Sequence, residues 1–179
     1  MVANGVETSR LILERLDPAH AEILFAGLCD EQLYEFIDAV PPDSVAALRS
    51  RYERLAAGAS PDAREIWLNW VIQVRFEDRY AGFVQATIAE DRSADIAYVL
   101  LRSFWGFGYG LEAVTAMINH LRNEHGIGVF RATVDPRNIR SISLLEKLGF
   151  KRIAHRKNCA TIKGTAADEC EYALPIAPV

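Results

Sequence analysis

The chain has 179 residues, of which half are hydrophobic and a quarter are charged, and its formal net charge is −4 at pH 7. This length and composition are those of one folded domain, which excludes a disordered chain, and the negative charge excludes a generally basic nucleic-acid-binding protein. The charge is uneven, because residues 1–60 carry five basic and ten acidic side chains, whereas residues 131–157 carry eight basic and two acidic ones. Taken alone, such a distribution is more often ordinary solvated surface than a binding feature.

Cysteine and histidine usage argues against a metal site. The three cysteines form no CxxC pair, and His120 and His125 lie near a predicted helix end with no third ligand type beside them. The first ten residues are polar, and no window of the sequence has the apolar length of a membrane span. We therefore expect a cytoplasmic protein with reduced thiols that binds no metal, no membrane and no nucleic acid.

The first third of the sequence predicts one strand followed by helices. Residues 10–16 alternate in a way that is typical of a strand. Residues 18–29 and 30–39 then predict two helical segments, and Pro41-Pro42 ends the second of them. Ser44 follows as the predicted N-cap of a third helix, which runs to about residue 57.

The middle of the sequence predicts three antiparallel strands. Residues 66–76 alternate with a period of two, which indicates a strand with one buried face. Residues 80–89 and 94–101 form two further strands, and the turns between the three are too short for anything but antiparallel neighbours. Trp67 and Trp70 fall on opposite faces of the first strand, so only one of them is expected in the core.

The second half of the sequence predicts a crossover and a closing hairpin. A glycine-rich turn and a helix connect residues 94–101 with the β-forming run 129–134, so these two strands should be parallel. Residues 138–148 form the last helix, and residues 150–157 and 169–174 form a closing pair of strands. The predicted class is α+β, with a mixed and mostly antiparallel sheet of about seven strands.

The turn Trp105-Gly106-Phe107-Gly108-Tyr109-Gly110 lies between a strand and a helix. Alternating glycines let the backbone approach a ligand, and a helix N-terminus attracts anions, so the turn suits a phosphate; a tight connection that needs unusual φ values explains the glycines equally well. A dinucleotide site is also open, because Asp135 ends the next strand, although the turn follows three antiparallel strands. A P-loop is excluded, because no Lys-Ser or Lys-Thr follows the glycines.

Three motifs together resemble the GNAT superfamily of N-acetyltransferases. The glycine-rich turn resembles the acetyl-coenzyme A motif Q/R-x-x-G-x-G/A, with Trp105 in the Gln/Arg position. Residues 138–150 resemble the signature N-x-x-S … E-K-x-G-F, and residues 8–13 (TSRLIL) resemble the opening T-x-R-L-x-L of the RimJ/RimL-like branch. The similarity spans residues 8–174 in the expected order.

The resemblance implies a single-domain GNAT-like fold with helices on both faces of the sheet and a central parallel pair of strands that splay apart around acetyl-coenzyme A (acetyl-CoA), the co-substrate. Residues 94–157 would form the acetyl-CoA-binding core. The implied ligands are backbone groups of Tyr98, Val99 and Leu100 for the pantetheine arm, backbone N–H groups of Trp105, Gly106, Phe107, Gly108, Tyr109 and Gly110 for the pyrophosphate, and the side-chain amide of Asn138.

The sequence departs from the superfamily at the proton donor. Many members carry a tyrosine five residues before the Phe of the Gly-Phe pair, whereas this chain has Leu145 there. The resemblance to the RimL-like branch implies Ser141 as the substitute, although hydrogen bonding at a helix N-terminus explains a serine there equally well. Asp95 occupies the strand position where relatives often carry a glutamate base, and an ordinary surface carboxylate is the alternative.

The acceptor side is predicted within residues 8–60, because the early helices of this fold cover the cleft. Tyr34, Phe36 and Trp70 are the predicted contacts to the acceptor. The expected reaction of this domain, residues 1–179, is acetyl transfer to a primary amine (a protein N-terminal α-amine or a small-molecule amine) by direct attack in a ternary complex, by a monomer or homodimer. A non-catalytic acyl-CoA-binding or regulatory domain on the same fold is the alternative.

Overall fold

The computed structural model describes residues 5–175, which form one α+β domain with four α-helices and one eight-stranded sheet. The helices are α1 (His20–Leu28), α2 (Val45–Ala56), α3 (Tyr109–His125) and α4 (Ile139–Lys147). The strands are β1 (Val6–Glu7), β2 (Leu11–Arg15), β3 (Ile66–Val74), β4 (Arg79–Ile88), β5 (Ser93–Leu100), β6 (Val129–Val134), β7 (Lys151–Ile162) and β8 (Thr165–Leu174). Their order in the sheet is β1-β2-β3-β4-β5-β6-β8-β7, and β5 and β6 are the parallel pair.

The predicted fold class is confirmed, with differences at the edges. The sheet has eight strands instead of about seven, because the short β1 pairs with β2. Residues 30–39 form only one 3₁₀ turn, Glu31–Tyr34. Tyr34 is the one buried residue of this segment and Ile37 is 40% exposed, so the segment lacks the continuous buried face that stabilises a short helix.

The closing hairpin is longer than predicted. β7 and β8 continue from Lys151 to Leu174 and turn at Lys163 and Gly164, which both have positive φ. β7 lies at the sheet edge and is mostly exposed, so its outer half carries no hydrophobic period that would reveal a strand.

Strand β3 is buried on both faces, which contradicts the prediction of one buried face. The consecutive residues Leu68 to Ile72 are all buried. Asn69 faces α2, where its amide donates to the carbonyl of Leu55, and Trp70 faces α3, where it packs edge-on against His120. Helices α1 and α2 therefore cover one face of the sheet, and α3 and α4 cover the other.

The parallel pair β5–β6 splays apart. The two strands are paired only from Ser93 to Asp95, against Val129 to Arg131. Beyond Arg131, β6 continues its pairing with β8 on its other side, while the rest of β5 stays paired with β4. A gap therefore opens between β5 and β6, closed at the Asp95–Arg131 end and open toward the glycine-rich turn.

Gly82 allows β4 and β5 to pair closely beside this gap. The β3–β4 register shifts at Ile72/Gln73, and Gly82 follows the shift with a φ of 138°. A Cβ atom at this position would lie 2.0 Å from the carbonyl oxygen of Val99. The position therefore requires glycine, because a side chain would collide with backbone atoms of the neighbouring strand.

Candidate functional site: a gap between parallel strands

Backbone groups of β5 line one side of the gap. Leu101 N–H donates to Ala81 O, so in this antiparallel pair the odd-numbered residues of β5 bond to β4. The N–H and C=O of Tyr98 and Leu100 therefore point into the gap, whereas those of Val99 point toward β4. This alternation removes Val99 from the expected set of backbone ligands, and the Leu100 carbonyl already accepts the indole N–H of Trp105 at 2.7 Å.

From Gly106 onward, the glycine-rich turn presents unpaired N–H groups at the open end of the gap. The N–H of Trp105, predicted as one of these ligands, instead donates to the carbonyl of Arg102 at 3.1 Å. Gly106 and Gly108 have φ values of 84° and 79°, and Gly108 is the N-cap of α3 without a capping side chain. The N–H of Glu112 makes the first intrahelical bond, to Gly108 O at 3.1 Å. The three preceding N–H groups and the positive end of the helix dipole are therefore directed at the same point, which suits an anion.

Gly110 and the aromatic residues of the turn fix its position. A Cβ atom at Gly110 would lie 2.9 Å from a methyl group of Leu144, so the absent side chain lets α3 begin against α4. Phe107 stacks on Tyr109 with 5.9 Å between ring centroids and stays 60% exposed. The turn therefore has a packed side toward α4 and an open side toward solvent.

The N-terminal motif holds the turn in place through Glu112. The Glu112 carboxylate accepts from Thr8 Oγ1 at 2.6 Å and from Arg10 Nε at 2.7 Å, and the Arg10 backbone N–H adds a bond of 3.0 Å. Arg10 Nη1 also donates to the carbonyl of Phe107 at 2.9 Å. Partial burial acts to raise the pKa of Glu112, but the bonds from Thr8 and Arg10 outweigh it, so the net pKa is lowered. The motif is recognisable in the sequence, whereas this long-range contact is not.

The start of α4 supplies the predicted Ser141 and Asn138. Asn138 Oδ1 accepts the N–H of Ser141 at 3.1 Å as the helix N-cap, which leaves the amide hydrogens of Asn138 for a ligand. Ser141 Oγ lies 2.8 Å from the hydroxyl oxygen of Tyr98. Leu145, one turn further along the same helix face, is completely buried. Burial raises the pKa of Tyr98 to about 12, so its hydroxyl is protonated at neutral pH.

A small pocket on the opposite face of the sheet contains Asp95. Its volume is about 180 Å³, and Trp67, Asn69, Gln85 and Thr87 are among its lining residues. The Gln85 amide donates to Asn69 Oδ1 at 2.7 Å, which orients both amides. Partial desolvation raises the pKa of Asp95 against the lowering effect of nearby Arg131. The pocket adjoins the closed end of the gap, because Asp95 is the last residue of β5 paired with β6.

Of the three predicted acceptor contacts, Trp70 and Tyr34 are buried, and only Phe36 lies near the gap. Trp70 is 1% exposed and packs against α3, so the core tryptophan is Trp70, and Trp67 is the one that lines the pocket. Tyr34 is 7% exposed and donates its hydroxyl to the carbonyl of Leu28, which gives it a packing role. Only Phe36 reaches the loop after β6, with its ring 5.9 Å from the guanidinium of Arg137. Burial separates Trp70 and Tyr34 from the cleft.

The dinucleotide alternative loses support in the structure. The Asp135 carboxylate binds Arg137 through both oxygens, at 2.6 Å in the shortest contact, and is almost fully buried, so it is not placed to bind a ribose. Within residues 5–175, no three His, Cys, Asp or Glu side chains cluster closely enough to hold a metal ion. The same part of the chain contains no helix that combines the length and the apolar character needed to cross a membrane.

Comparison with known proteins identifies the family of this chain. Residues 10–151 match the model of the acetyltransferase (GNAT) domain. The chain is 24% identical over 169 residues to an uncharacterized N-acetyltransferase, p20, of Bacillus licheniformis, and 25% identical over 171 residues to the uncharacterized N-acetyltransferase YoaA of Bacillus subtilis. These alignments cover 93% of both chains for p20, and 94% of this chain and 95% of the other for YoaA.

Solved structures share the fold across nearly the whole chain. The acetyltransferase from Salmonella typhimurium that modifies the N-terminal serine of ribosomal protein L7/L12 superposes with a TM-score of 0.85 and 20% identity, covering 97% of this chain and all of that one. The microcin C7 self-immunity acetyltransferase MccE, solved with acetyl-CoA and AMP, gives 0.82 and 19%, covering 94% of each chain. The chain belongs to the GNAT acetyltransferase family and is an acyltransferase, with structural neighbours of the RimL type.

Proposed function

We propose that this protein transfers an acetyl group from acetyl-CoA to a primary amine by direct attack in a ternary complex. The observation that carries the proposal is the arrangement around one gap. An uncapped helix N-terminus lies at its open end, and Ser141 and Asp95 lie near it on opposite faces of the sheet. The phosphates of an anionic substrate can bind at the open end of the gap. Its reacting group then lies deeper in the gap, near side chains that can transfer a proton.

The residues of the gap fit an extended acyl-CoA. The unpaired N–H groups from Gly106 to Gly110 would hold the pyrophosphate. The backbone groups of Tyr98 and the N–H of Leu100 would bond to the amides of the pantetheine arm. β5 spans roughly 13 Å from Leu100 to Ile96 at about 3.3 Å per residue. An arm that runs along this strand brings the thioester to the closed end of the gap, beside Asp95. The amide hydrogens of Asn138 would also face the arm.

Asp95 and Ser141 have complementary proposed roles. The acceptor nitrogen must be neutral to attack; an N-terminal α-amine has a pKa of about 7.7–8.0, whereas a lysine needs stronger help at about 10.4. Asp95 would take the proton that the nitrogen loses, directly or through water, and its raised pKa makes it a better base. Ser141 would donate a proton to the sulfur as the carbon–sulfur bond breaks.

The proposed acceptor class is a peptide N-terminus or a small amine. The acidic excess of residues 1–60 supports a cationic acceptor, and Phe36 with the acids near it lies beside the loop that begins α4. The similar Salmonella protein modifies an N-terminal serine, which supports N-terminal peptides as the first acceptors to test.

The deciding experiment measures release of free thiol from acetyl-CoA with a panel of N-terminal peptides, spermidine and aminoglycosides. We expect turnover with at least one amine, and mass spectrometry should show one added acetyl group on its nitrogen. Tight CoA binding without turnover on any amine would instead support the regulatory alternative, and binding of NAD without CoA would contradict the proposal.

We predict that Ser141→Ala lowers kcat by about tenfold or more, because the thiolate then leaves without a proton donor. The affinity for CoA should stay within about twofold, since the variant keeps the helix and the Asn138 cap. Steady-state kinetics with the best amine of the panel, together with CoA titration by calorimetry, tests this. An unchanged kcat would remove Ser141 from the mechanism.

A further inference from the structure

The hydroxyl groups of Tyr98 and Ser141 form an isolated pair beside the gap. Their oxygens are 2.8 Å apart, and the Tyr98 hydroxyl also lies 3.3 Å from the Ser141 carbonyl oxygen. Within residues 5–175, Ser141 Oγ makes no hydrogen bond to any other protein group. The contact joins β5, on one side of the gap, to the first turn of α4.

Either hydroxyl can donate in this 2.8 Å contact, and the direction from Tyr98 to Ser141 is the one that has a consequence for the reaction. A protonated tyrosine has one hydrogen to donate, and the serine hydroxyl and carbonyl oxygen are the acceptors within reach. When Tyr98 donates to Ser141 Oγ, the hydrogen of Ser141 is free to point into the gap. A serine without this partner would tend to bond back to a carbonyl of its own helix.

We infer that Tyr98 is a positioning residue that holds Ser141 as proton donor and replaces the proton that Ser141 gives away. This inference rests on the proposed acetyl transfer. As the carbon–sulfur bond breaks, the sulfur takes the hydrogen of Ser141 Oγ, and Ser141 Oγ takes the hydrogen of Tyr98. Tyr98 is left as a phenolate and recovers a proton from water when the products leave. The proton lost by the amine goes to Asp95 or water, so the overall reaction yields an amide and a free thiol.

This relay accounts for the leucine at the usual tyrosine position. Leu145 is fully buried in the core and cannot donate a proton. The structure instead brings a tyrosine from β5 to the α4 helix, one turn before Leu145. The phenol therefore acts from the strand and reaches the sulfur through Ser141.

The test is a double-mutant cycle of Tyr98→Phe and Ser141→Ala, assayed with the fastest amine of the panel. We expect Tyr98→Phe to lower kcat about tenfold and to leave both KM values within about twofold, because the ring still fills its site. We expect the double variant to lose about as much as Ser141→Ala alone, since both groups act in one relay. Circular dichroism melts confirm that each variant is folded.

Tyr80→Phe is the matched control. It also removes a hydroxyl bonded to a side chain, here Glu14 at 3.1 Å, and it should leave kcat unchanged. A wild-type kcat in Tyr98→Phe, or a double variant whose loss is the product of the single losses, would overturn the inference. A wild-type protein that acetylates no amine would instead overturn the proposed function.

A second, independent observation concerns Arg140. Its guanidinium lies 4.1 Å from the ring centroid of Trp105, whose indole N–H is held by the Leu100 carbonyl. Within residues 5–175, Arg140 has no acidic partner within 4.0 Å, whereas Arg137, three residues earlier, is paired with Asp135. Arg140 is therefore an unneutralised cation beside the uncapped start of α3.

The geometry points to Arg140 as a phosphate ligand of CoA. Trp105 occupies the Gln/Arg position of the motif and carries no positive charge. Stacking on the indole holds the Arg140 guanidinium near the position that an arginine at residue 105 would occupy. A guanidinium held this way can donate two parallel hydrogen bonds to a phosphate.

Binding of CoA, dephospho-CoA and pantetheine to Arg140→Gln tests this assignment by calorimetry. We expect CoA affinity to fall about tenfold and pantetheine affinity to stay unchanged, with Arg54→Gln on the α2 surface as the charge-matched control. An equal loss for dephospho-CoA places Arg140 at the pyrophosphate, and a loss for CoA alone places it at the 3′-phosphate. Unchanged CoA affinity, or an equal loss for pantetheine, would overturn the assignment.

Discussion

Replacing Gly82 with alanine is expected to destabilise the protein more than the same replacement at any other glycine. The new Cβ would lie 2.0 Å from Val99 O and 3.0 Å from Leu100 Cα, and both are backbone atoms that cannot rotate away. The φ of 138° adds strain for any residue with a side chain. Together these effects should cost about 3 kcal/mol or more of unfolding free energy and lower the Tm by roughly 10 °C.

The measurement is thermal and urea unfolding of Gly82→Ala beside Gly164→Ala. Gly164 also has a positive φ, of 77°, but it lies at the tip of the β7–β8 hairpin, where an added Cβ atom would meet no other atom within 4 Å. Alanine at Gly164 should cost only about 1 kcal/mol, which is the strain of the left-handed conformation. Equal losses in the two variants would contradict the steric argument at Gly82.

Replacing Glu112 with glutamine is expected to loosen the glycine-rich turn. The change removes the charge that Arg10 binds at 2.6 Å and weakens the bond from Thr8. The pair is partly exposed, so we expect a loss of only about 1–2 kcal/mol in stability. KM for acetyl-CoA should rise several-fold, because Arg10 then holds the Phe107 carbonyl less firmly. Kinetics and urea unfolding measure the two effects separately.

The stability difference at Glu112 should depend on pH with a defined sign. Its pKa is lower in the folded protein than in the unfolded chain, so its contribution is complete above the unfolded value of about 4.3 and is lost as the pH falls through the folded value. The difference between the wild type and Glu112→Gln should therefore be full at pH 7, begin to shrink below about pH 4.3, and disappear once the pH is below the folded pKa. Glu22→Gln, which breaks the more exposed pair with Arg49, is the control and should change stability by less than about 0.5 kcal/mol. A difference that persists at low pH would exclude the ionised carboxylate as its source.

Most of the fold could be predicted because its core elements carry local patterns. The helical spacing that starts after Gly110 and the run from Val129 to Val134 are visible in a few consecutive residues, and the structure contains α3 and β6 there. The 30–39 segment and the outer half of β7 could not be predicted in the same way. Their secondary structure depends on which side chains are buried, and these two segments bury few of them.

The order of elements, the glycine-rich turn and the residue types that point to acetyl-CoA are readable without the structure, since each is encoded in contiguous residues. The tryptophan that lines the pocket is set by tertiary packing, because both faces of β3 are covered and the period of two does not say which face carries the cleft. Contacts between residues far apart in the sequence could not be predicted either. Glu112 meets Thr8 across 104 positions, and Tyr98 meets Ser141 across 43, because packing brings together elements that no local pattern connects.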